Sequence, residues 1–152
     1  MDHSLITDYL YIAARPEGRD AGEIRDLGVR LIISMVAHRR PAAEFSRPPL
    51  TTLWLRTFDF FLLPIPVDSL EQGVQAALPV IERGDKVLVY CQAGRHRSVA
   101  MGAAILIGMG HTAEEAMALI ARRRPVADPY AGHIERQIRK FEATWRGRAA
   151  GG

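Results

Sequence analysis

The chain has 152 residues, of which 48% are hydrophobic and 24% are charged, and this is typical of one soluble globular domain. Its single cysteine excludes an internal disulfide and therefore predicts a reducing compartment. The net charge of +3 does not by itself point to nucleic acid, and the longest apolar run, residues 99–110, is too short for a membrane span of about 20 residues.

We expect no targeting segment in this chain. Its first 18 residues contain neither the basic region nor the apolar region of a secretory signal. We therefore expect a soluble, cytoplasmic protein without stable membrane insertion, monomeric and built as a single domain over residues 1–152.

Strands and helices alternate along the first part of the chain. In order, the pattern predicts a strand at 10–14, a helix at 17–29 with Gly28 as its stop signal, a buried strand at 31–36, a loop with three prolines at 38–49 and a strand at 50–56. Residues 57–67 are apolar but interrupted by two prolines, and we predict a buried loop there.

The second part begins with a predicted helix at 69–83, in which Pro79 is expected to cause a kink or a break. A strand at 87–90 follows, and then helices at 97–109, 111–125 and 131–147. Thr112 and Glu115 have the spacing of a capping box. The alternation predicts an α/β fold with a mainly parallel central sheet flanked by helices, and a ligand site at the carboxyl ends of its strands.

The segment CQAGRHRS, residues 91–98, lies where the strand at 87–90 turns into the next helix. Backbone N–H groups at a helix start are unpaired and carry the positive end of the helix dipole. Gly94 permits a left-handed or closely packed backbone, so several N–H groups can point at one tetrahedral anion. Because Arg97 adds two parallel donors, the segment predicts a phosphate-binding loop.

The same donors stabilise a thiolate at Cys91 directly beneath the bound phosphate. Its attack on phosphorus gives a phosphocysteine, an intermediate that divides one difficult step into two. Donors of the loop stabilise the negative charge of the equatorial oxygens, and Ser98 can donate a hydrogen bond to the departing thiolate. The alternative is a cysteine that only packs in the core, but such a residue does not explain the three basic residues that follow it.

The spacing of Cys91, Arg97 and Ser98, C-x5-R-S, resembles the signature of the protein tyrosine phosphatase superfamily, and the compact chain resembles its dual-specificity branch. Residues 10–35 and 113–142 are similar to the opening and closing elements of these enzymes. The stretch from residue 59 to the loop resembles the phosphatidylglycerophosphate-phosphatase-like group and small prokaryotic relatives. The resemblance implies a cysteine-based phosphatase fold that needs no cofactor.

The resemblance assigns Cys91 as the nucleophile, Arg97 as the phosphate clamp and Ser98 as the hydroxyl that assists thiolate departure. It implies that the substrate is bound by the loop residues, namely Gln92, Ala93, Gly94, Arg95, His96 and Arg97. Arg95 and His96 are expected to point outward, where they contact substrate beyond the phosphate or only solvent. The family usually has histidine before the cysteine, and because this chain has Tyr90 instead, activation of Cys91 is expected to differ.

Two aspartates compete as the acid that protonates the leaving group. Asp59 lies among phenylalanines just after a predicted strand, where partial desolvation is expected to raise its pKa, and the resemblance also favours this position. Asp68 precedes a helix and has Glu71 three residues later, which is the spacing of an N-cap. We therefore predict Asp59 as the acid, with Asp68 as the alternative.

The run Arg122–Arg124 is expected to be a solvated helix end, with a basic rim as the alternative. The histidines at positions 3, 38, 111 and 133 show no metal-ligand spacing, and no metal is predicted. The predicted substrates are proteins phosphorylated on tyrosine, serine or threonine. The alternatives are a lipid or small-metabolite phosphate and a non-catalytic phosphate-binding module.

Overall fold

A five-stranded sheet forms the centre of the computed structural model, which describes residues 1–151 and the side chains of residues 1–149. The strands are β1 (His3–Thr7), β2 (Leu10–Ala14), β3 (Val29–Val36), β4 (Thr51–Thr57) and β5 (Lys86–Cys91). Their spatial order is β1-β2-β5-β3-β4, in which β1 is antiparallel to β2 and the other pairs are parallel. The predicted α/β fold with a mainly parallel sheet is therefore confirmed. Gly152, the last residue of the predicted domain, lies outside the described residues.

The sequence pattern missed β1. Its five residues, HSLIT, contain only one fully buried side chain, Ile6, so the strand shows no continuous apolar run. The strand lies at the edge of the sheet, where one side is unpaired and the sequence is less apolar. The other four strands match their predicted positions to within two residues.

The helices are α1 (Ala21–Asp26), α2 (Val67–Glu82), α3 (Arg97–Gly108), α4 (Ala113–Arg123) and α5 (Gly132–Gly151). The helix predicted at 17–29 is shorter than expected, because a 3-10 turn at Gly18–Asp20 precedes α1. Gly28 ends this region in a left-handed conformation with φ of 89°. The predicted capping box of Thr112 and Glu115 is present at the start of α4. None of the described helices has the length and apolar character needed to cross a membrane.

Alternation along β5 divides its side chains between two cores. Val87, Val89 and Cys91 belong to the larger core, which contains residues of α2 to α5, whereas Leu88 and Tyr90 belong to the smaller core beside α1. α3 is buried through most of its length and lies between the sheet and three other helices. The close packing requires small residues, since a Cβ at Gly102 would lie 2.7 Å from Ile12 Cδ1. The start of α3 is therefore held firmly at the carboxyl end of β5.

Between β4 and β5, the expected break of the helix at Pro79 and the expected burial of the loop at 57–67 are both wrong. α2 continues through Pro79 to Glu82. A proline in the last turn removes only one backbone N–H donor from the helix, and the Pro79 carbonyl still accepts a hydrogen bond from the Arg83 N–H at 3.3 Å. The loop at 57–67 is exposed rather than buried, since it projects beyond the carboxyl end of β4. Among its large apolar side chains Ile65 is buried, whereas five are exposed, namely Phe58, Phe60, Phe61, Leu62 and Leu63.

Candidate active site

The thiol of Cys91 lies at the carboxyl end of β5 and is buried. Ser98, in the first turn of α3, brings its Oγ to 3.1 Å from the Cys91 Sγ. Strand and helix therefore place the thiol and the hydroxyl face to face, while the loop between them closes around the same point. When the sulfur is a thiolate, the hydroxyl is its hydrogen-bond donor.

The carbonyl groups of the loop after Cys91 are held from outside. Four successive carbonyl oxygens accept hydrogen bonds from other segments: Gln92 from the Arg15 N–H at 3.2 Å, Ala93 and Gly94 from the Arg124 guanidinium at 3.3 and 2.7 Å, and Arg95 from the Asp128 N–H at 3.0 Å. Within the described part of the chain, the backbone N–H groups of residues 92–96 donate no hydrogen bond. A short loop with its carbonyls fixed and its donors free suits a tetrahedral anion, and phosphate binding by this loop stays a prediction.

Gly94 is required in this loop for two reasons. Its φ of 65° is in the left-handed region that glycine adopts without cost. A Cβ at this position would also lie 2.7 Å from the Ala13 carbonyl and 2.5 Å from the Arg124 guanidinium. The loop therefore approaches both β2 and the arginine more closely than any other residue type would allow.

Arg97 is almost fully buried below the loop. Its Nη1 donates to the carbonyl oxygens of Met35 at 3.2 Å and Thr57 at 3.0 Å, which lie at the ends of β3 and β4. Its Nε is buried and has no hydrogen-bond partner among the described residues. One side of the guanidinium is thus fixed by the sheet, and the remaining donors are available to a phosphate.

Arg124 corrects the expectation of a solvated helix end. Arg122 and Arg123 are exposed, but Arg124 is 1% exposed and supplies the donors to the Ala93 and Gly94 carbonyls. Its guanidinium also pairs with both carboxylate oxygens of Asp2, at 3.0 and 3.1 Å. Helical periodicity could have predicted the burial of Arg124. Ala116 and Ile120 lie on the buried face of α4, and position 124 follows them at the same spacing of four residues.

Asp59 lies between two imidazole rings. Its Oδ2 is 2.8 Å from His96 Nδ1, and its Oδ1 is 2.8 Å from His133 Nε2. Burial raises the pKa of Asp59, but the hydrogen bonds from His133 and His96 outweigh burial and hold this pKa below its usual value. The expectation of a raised pKa is therefore wrong, because the sequence showed the neighbouring phenylalanines and not the two histidines.

The remaining predicted positions lie apart from this arrangement. Asp68 is exposed in the first turn of α2, and Pro66 occupies the N-cap, so the predicted N-cap role of Asp68 is wrong. Arg95 is exposed, as expected, whereas His96 turns toward Asp59 instead of outward. The side chain of Tyr90 lies on the opposite face of β5 from Cys91, and burial raises the pKa of Tyr90 so that it stays neutral.

Asp59, His96 and His133 are the described residues that together could hold a metal ion. Their ligand atoms lie within 4.8 Å of one another. Asp59 lies in the loop after β4. His96 follows it by 37 residues, in the loop before α3, and His133 follows it by 74 residues, in the first turn of α5. The spacing of histidines along the chain, on which the prediction of no metal rests, gives no sign of this cluster.

Known proteins resemble this chain in sequence and in structure. The family described as "Dual specificity phosphatase, catalytic domain" matches residues 10–144. Human "Phosphatidylglycerophosphatase and protein-tyrosine phosphatase 1" is 36% identical over 119 residues, 74% of this chain and 59% of that protein. Mouse "Dual specificity phosphatase 28" is 36% identical over 81 residues, 53% of this chain and 49% of that protein.

Two solved structures resemble this protein over nearly its whole length. The crystal structure of PTPMT1 in complex with PI(5)P matches with a TM-score of 0.86 and 27% sequence identity, covering 97% of this chain and 98% of that chain. The crystal structure of human DUSP28 matches with a TM-score of 0.84 at 22% identity, covering 95% and 99%, and shows the same fold. By contrast, this chain spans only about half to three fifths of the two curated relatives.

Proposed function

Because the chain belongs to the dual specificity phosphatase catalytic domain family, we propose that it hydrolyses phosphate monoesters through a phosphocysteine intermediate. One observation carries this proposal: the loop that follows Cys91 has its carbonyls held from outside, and its N–H groups have no hydrogen-bond partner among the residues that the structure describes. Those donors, with Arg97, hold the equatorial oxygens of a phosphoryl group over the sulfur.

In the first step the thiolate of Cys91 attacks phosphorus, and the bond from phosphorus to the ester oxygen breaks. Asp59 gives its proton to that oxygen, which leaves as an alcohol or a phenol. In the second step water attacks the phosphocysteine, its proton passes to Asp59, and the bond from sulfur to phosphorus breaks. Ser98, 3.1 Å from the sulfur, stabilises the thiolate as it leaves.

The pKa of Asp59, which is lowered in the free protein, favours the carboxylate and not the acid. A bound phosphate dianion adds negative charge beside this carboxyl group, and a nearby like charge raises a carboxyl pKa. The substrate thus promotes the protonated form that the first step needs. Asp59 acts as an acid in the substrate complex.

Asp59→Asn is expected to slow the hydrolysis of alkyl phosphates by roughly 10²–10⁴-fold, because an alkoxide is a poor leaving group without a proton. Activated aryl phosphates such as p-nitrophenyl phosphate need less protonation and lose much less. The measurement is kcat/KM for both substrate types. Asp68→Asn serves as the matched control, and the acid is Asp68 if the selective loss occurs in that variant.

Removing one histidine is expected to change the pH dependence. An acid must be protonated, so its contribution falls as pH rises through its pKa, and the lowered pKa of Asp59 places this fall at low pH. His133→Ala removes a hydrogen bond that lowers the pKa of Asp59, so the decrease in activity moves to higher pH.

The measurement is kcat/KM for an alkyl phosphate divided by kcat/KM for p-nitrophenyl phosphate, followed as a function of pH. An unchanged profile would contradict this role, and His111→Ala is the control.

The proposed substrates are phosphorylated proteins, with tyrosine, serine or threonine as the esterified residue. One observation favours the lipid alternative. The loop that carries Asp59 exposes five large apolar side chains next to one another, and such a patch marks a contact with an apolar partner. A structurally similar protein, PTPMT1, was crystallised with PI(5)P. A phospholipid in a bilayer would offer both a phosphate and an apolar surface.

Comparing a phosphotyrosyl peptide with a phosphoinositide in vesicles decides between the two substrates. If lipids are used, changing Phe61 and Leu62 together to serine should lower kcat/KM on vesicles by roughly tenfold or more, since each exposed side chain contributes about 1.5–3 kcal/mol when fully buried. Hydrolysis of soluble p-nitrophenyl phosphate should stay unchanged. A preference for the peptide, together with no effect of the double change on vesicles, would support the phosphoprotein proposal.

A further inference from the structure

We propose that Asp59, His96 and His133 form a zinc-binding site beside the phosphate-binding loop, and that bound Zn²⁺ withdraws Asp59 from proton transfer. The first part concerns binding and depends only on the three side chains. The second part rests on the proposed function of Asp59 as the acid.

The geometry is close to that of a zinc site. Both imidazole nitrogens that face Asp59 are 2.8 Å from its oxygens, and the three ligand atoms lie within 4.8 Å of one another. In a tetrahedral zinc site with bonds of about 2.0–2.2 Å, neighbouring ligand atoms are about 3.3 Å apart. The two contacts with Asp59, which involve different carboxylate oxygens, would each widen by about 0.5 Å to admit the ion, and the two imidazole nitrogens, which lie within 4.8 Å of each other, would come to about 3.3 Å apart.

The chemistry of the ligands also fits zinc. Zn²⁺ takes histidine nitrogen and carboxylate oxygen, and two histidines with one carboxylate leave a fourth position for water. A metal ligand must be free of protons at the ligating atom, and each neutral imidazole meets this condition when its proton is on the other ring nitrogen. The side chains of Asp59, His96 and His133 are 35%, 21% and 20% exposed, so solvent reaches the cluster while the surrounding protein holds it.

A second carboxylate lies near one of the three ligands. His96 faces Asp59 through Nδ1, and its other ring nitrogen, Nε2, is 3.8 Å from the Asp128 carboxylate. Metal-bound histidines usually donate their free ring N–H to a carboxylate, which fixes the ring and increases its basicity, and Asp128 would need to approach His96 by about 1 Å to accept that hydrogen bond. Asp128 is itself tied to the loop, because its N–H donates to the Arg95 carbonyl at 3.0 Å.

The fold positions the cluster in advance. His96 is the last loop residue before α3, and the loop is braced by Arg124. His133 lies in the first turn of α5, and its ring packs against that of His96 with centroids 5.5 Å apart. Two of the three ligands are therefore presented by the framework of the protein, and only Asp59 comes from the exposed loop.

A carboxylate bound to Zn²⁺ cannot carry the proton that an alkyl leaving group needs. Zinc at this cluster should therefore reproduce the selectivity of Asp59→Asn, slowing alkyl phosphates and largely sparing activated aryl phosphates. Zinc bound to the thiolate of Cys91 would instead stop both reactions, because both need the nucleophile. The two positions for the metal thus have different kinetic consequences.

Binding is measured by titrating the metal-free protein with Zn²⁺ in a calorimeter and with Co²⁺ by visible absorption. We expect one ion per chain, a tetrahedral Co²⁺ spectrum, and at least tenfold weaker binding in His133→Ala. His111→Ala should bind like the wild type. If His133→Ala is not folded by circular dichroism, Asp59→Asn takes its place. Absence of binding, or binding unaffected by loss of a ligand, would overturn the site and leave only a hydrogen-bonded cluster.

Inhibition is measured with saturating Zn²⁺ and after adding a chelator. The expected result is a loss of at least tenfold for an alkyl phosphate, less than about twofold for p-nitrophenyl phosphate, and full recovery with the chelator. Equal loss for both substrates, or the same loss in His133→Ala, would overturn the withdrawal of Asp59. If the protein hydrolyses neither substrate, both the proposed function and the withdrawal of Asp59 from proton transfer are overturned. The binding titration still decides whether the zinc site exists.

Discussion

Cys91→Ser is expected to abolish hydrolysis of p-nitrophenyl phosphate, with a loss of roughly 10⁴-fold or more in kcat. A serine hydroxyl is a weak nucleophile unless a base removes its proton, and the residue at hydrogen-bond distance is another hydroxyl, Ser98. The loop, Arg97 and the acid remain in place, so the variant keeps its binding site. The measurement is initial rate across pH 5–8 for the wild type and the variant.

Two controls make this result interpretable. Cys91→Ser should still bind vanadate and should unfold within about 1 kcal/mol of the wild type, because the change replaces a small side chain with one of similar shape. Residual turnover near the wild-type rate would rule out the phosphocysteine. A wild type that is folded and binds vanadate without turnover would indicate a phosphate-binding module, and Tyr90→His would then be the first variant to restore activity.

Arg124→Met is expected to lower both stability and activity although Arg124 has no contact with the nucleophile. The change removes the donors to the buried Gly94 carbonyl and the partly buried Ala93 carbonyl, and an unsatisfied buried carbonyl costs about 1–3 kcal/mol. We expect a decrease of roughly 2–4 kcal/mol in the free energy of unfolding. Asp2 adds little to this cost, since its side chain is 65% exposed and water can replace the arginine.

The effect on activity follows from the loop. Without Arg124 the two carbonyls are no longer held outward, and a displacement of about 1 Å in the N–H donors can cost roughly 10²-fold in rate. Urea unfolding and kcat/KM, the latter at a temperature where the variant is folded, measure the two effects. Arg123→Met is the matched control, because Arg123 is exposed at the same helix end and should change stability by less than about 0.5 kcal/mol. Wild-type kcat/KM in Arg124→Met would show that other contacts suffice to hold the loop.

The sequence by itself determined the α/β fold, the positions of four strands and the place of the loop that we propose binds phosphate. Each of these follows from a local pattern. Strands are visible as apolar runs, and the loop contains its cysteine, glycine, arginine and serine within eight consecutive residues. The strand before the loop and the helix after it place Cys91 and Ser98 together, so that their 3.1 Å contact needs no information from distant parts of the chain.

Only the tertiary structure decided which residues support that loop. In the sequence, Arg124 cannot be distinguished from Arg122 and Arg123, which are exposed. In the structure, the packing of α4 buries Arg124 and brings it to Asp2, which lies 122 residues earlier in the chain. In the sequence, the neighbours of Asp59 are phenylalanines. In the structure those phenylalanines are exposed, and the side chains that contact Asp59 are His96 and His133. The physical reason is the same in both cases. Periodicity reports which face of one element is apolar, whereas pairing between polar side chains depends on the strand order and helix packing that bring distant segments together.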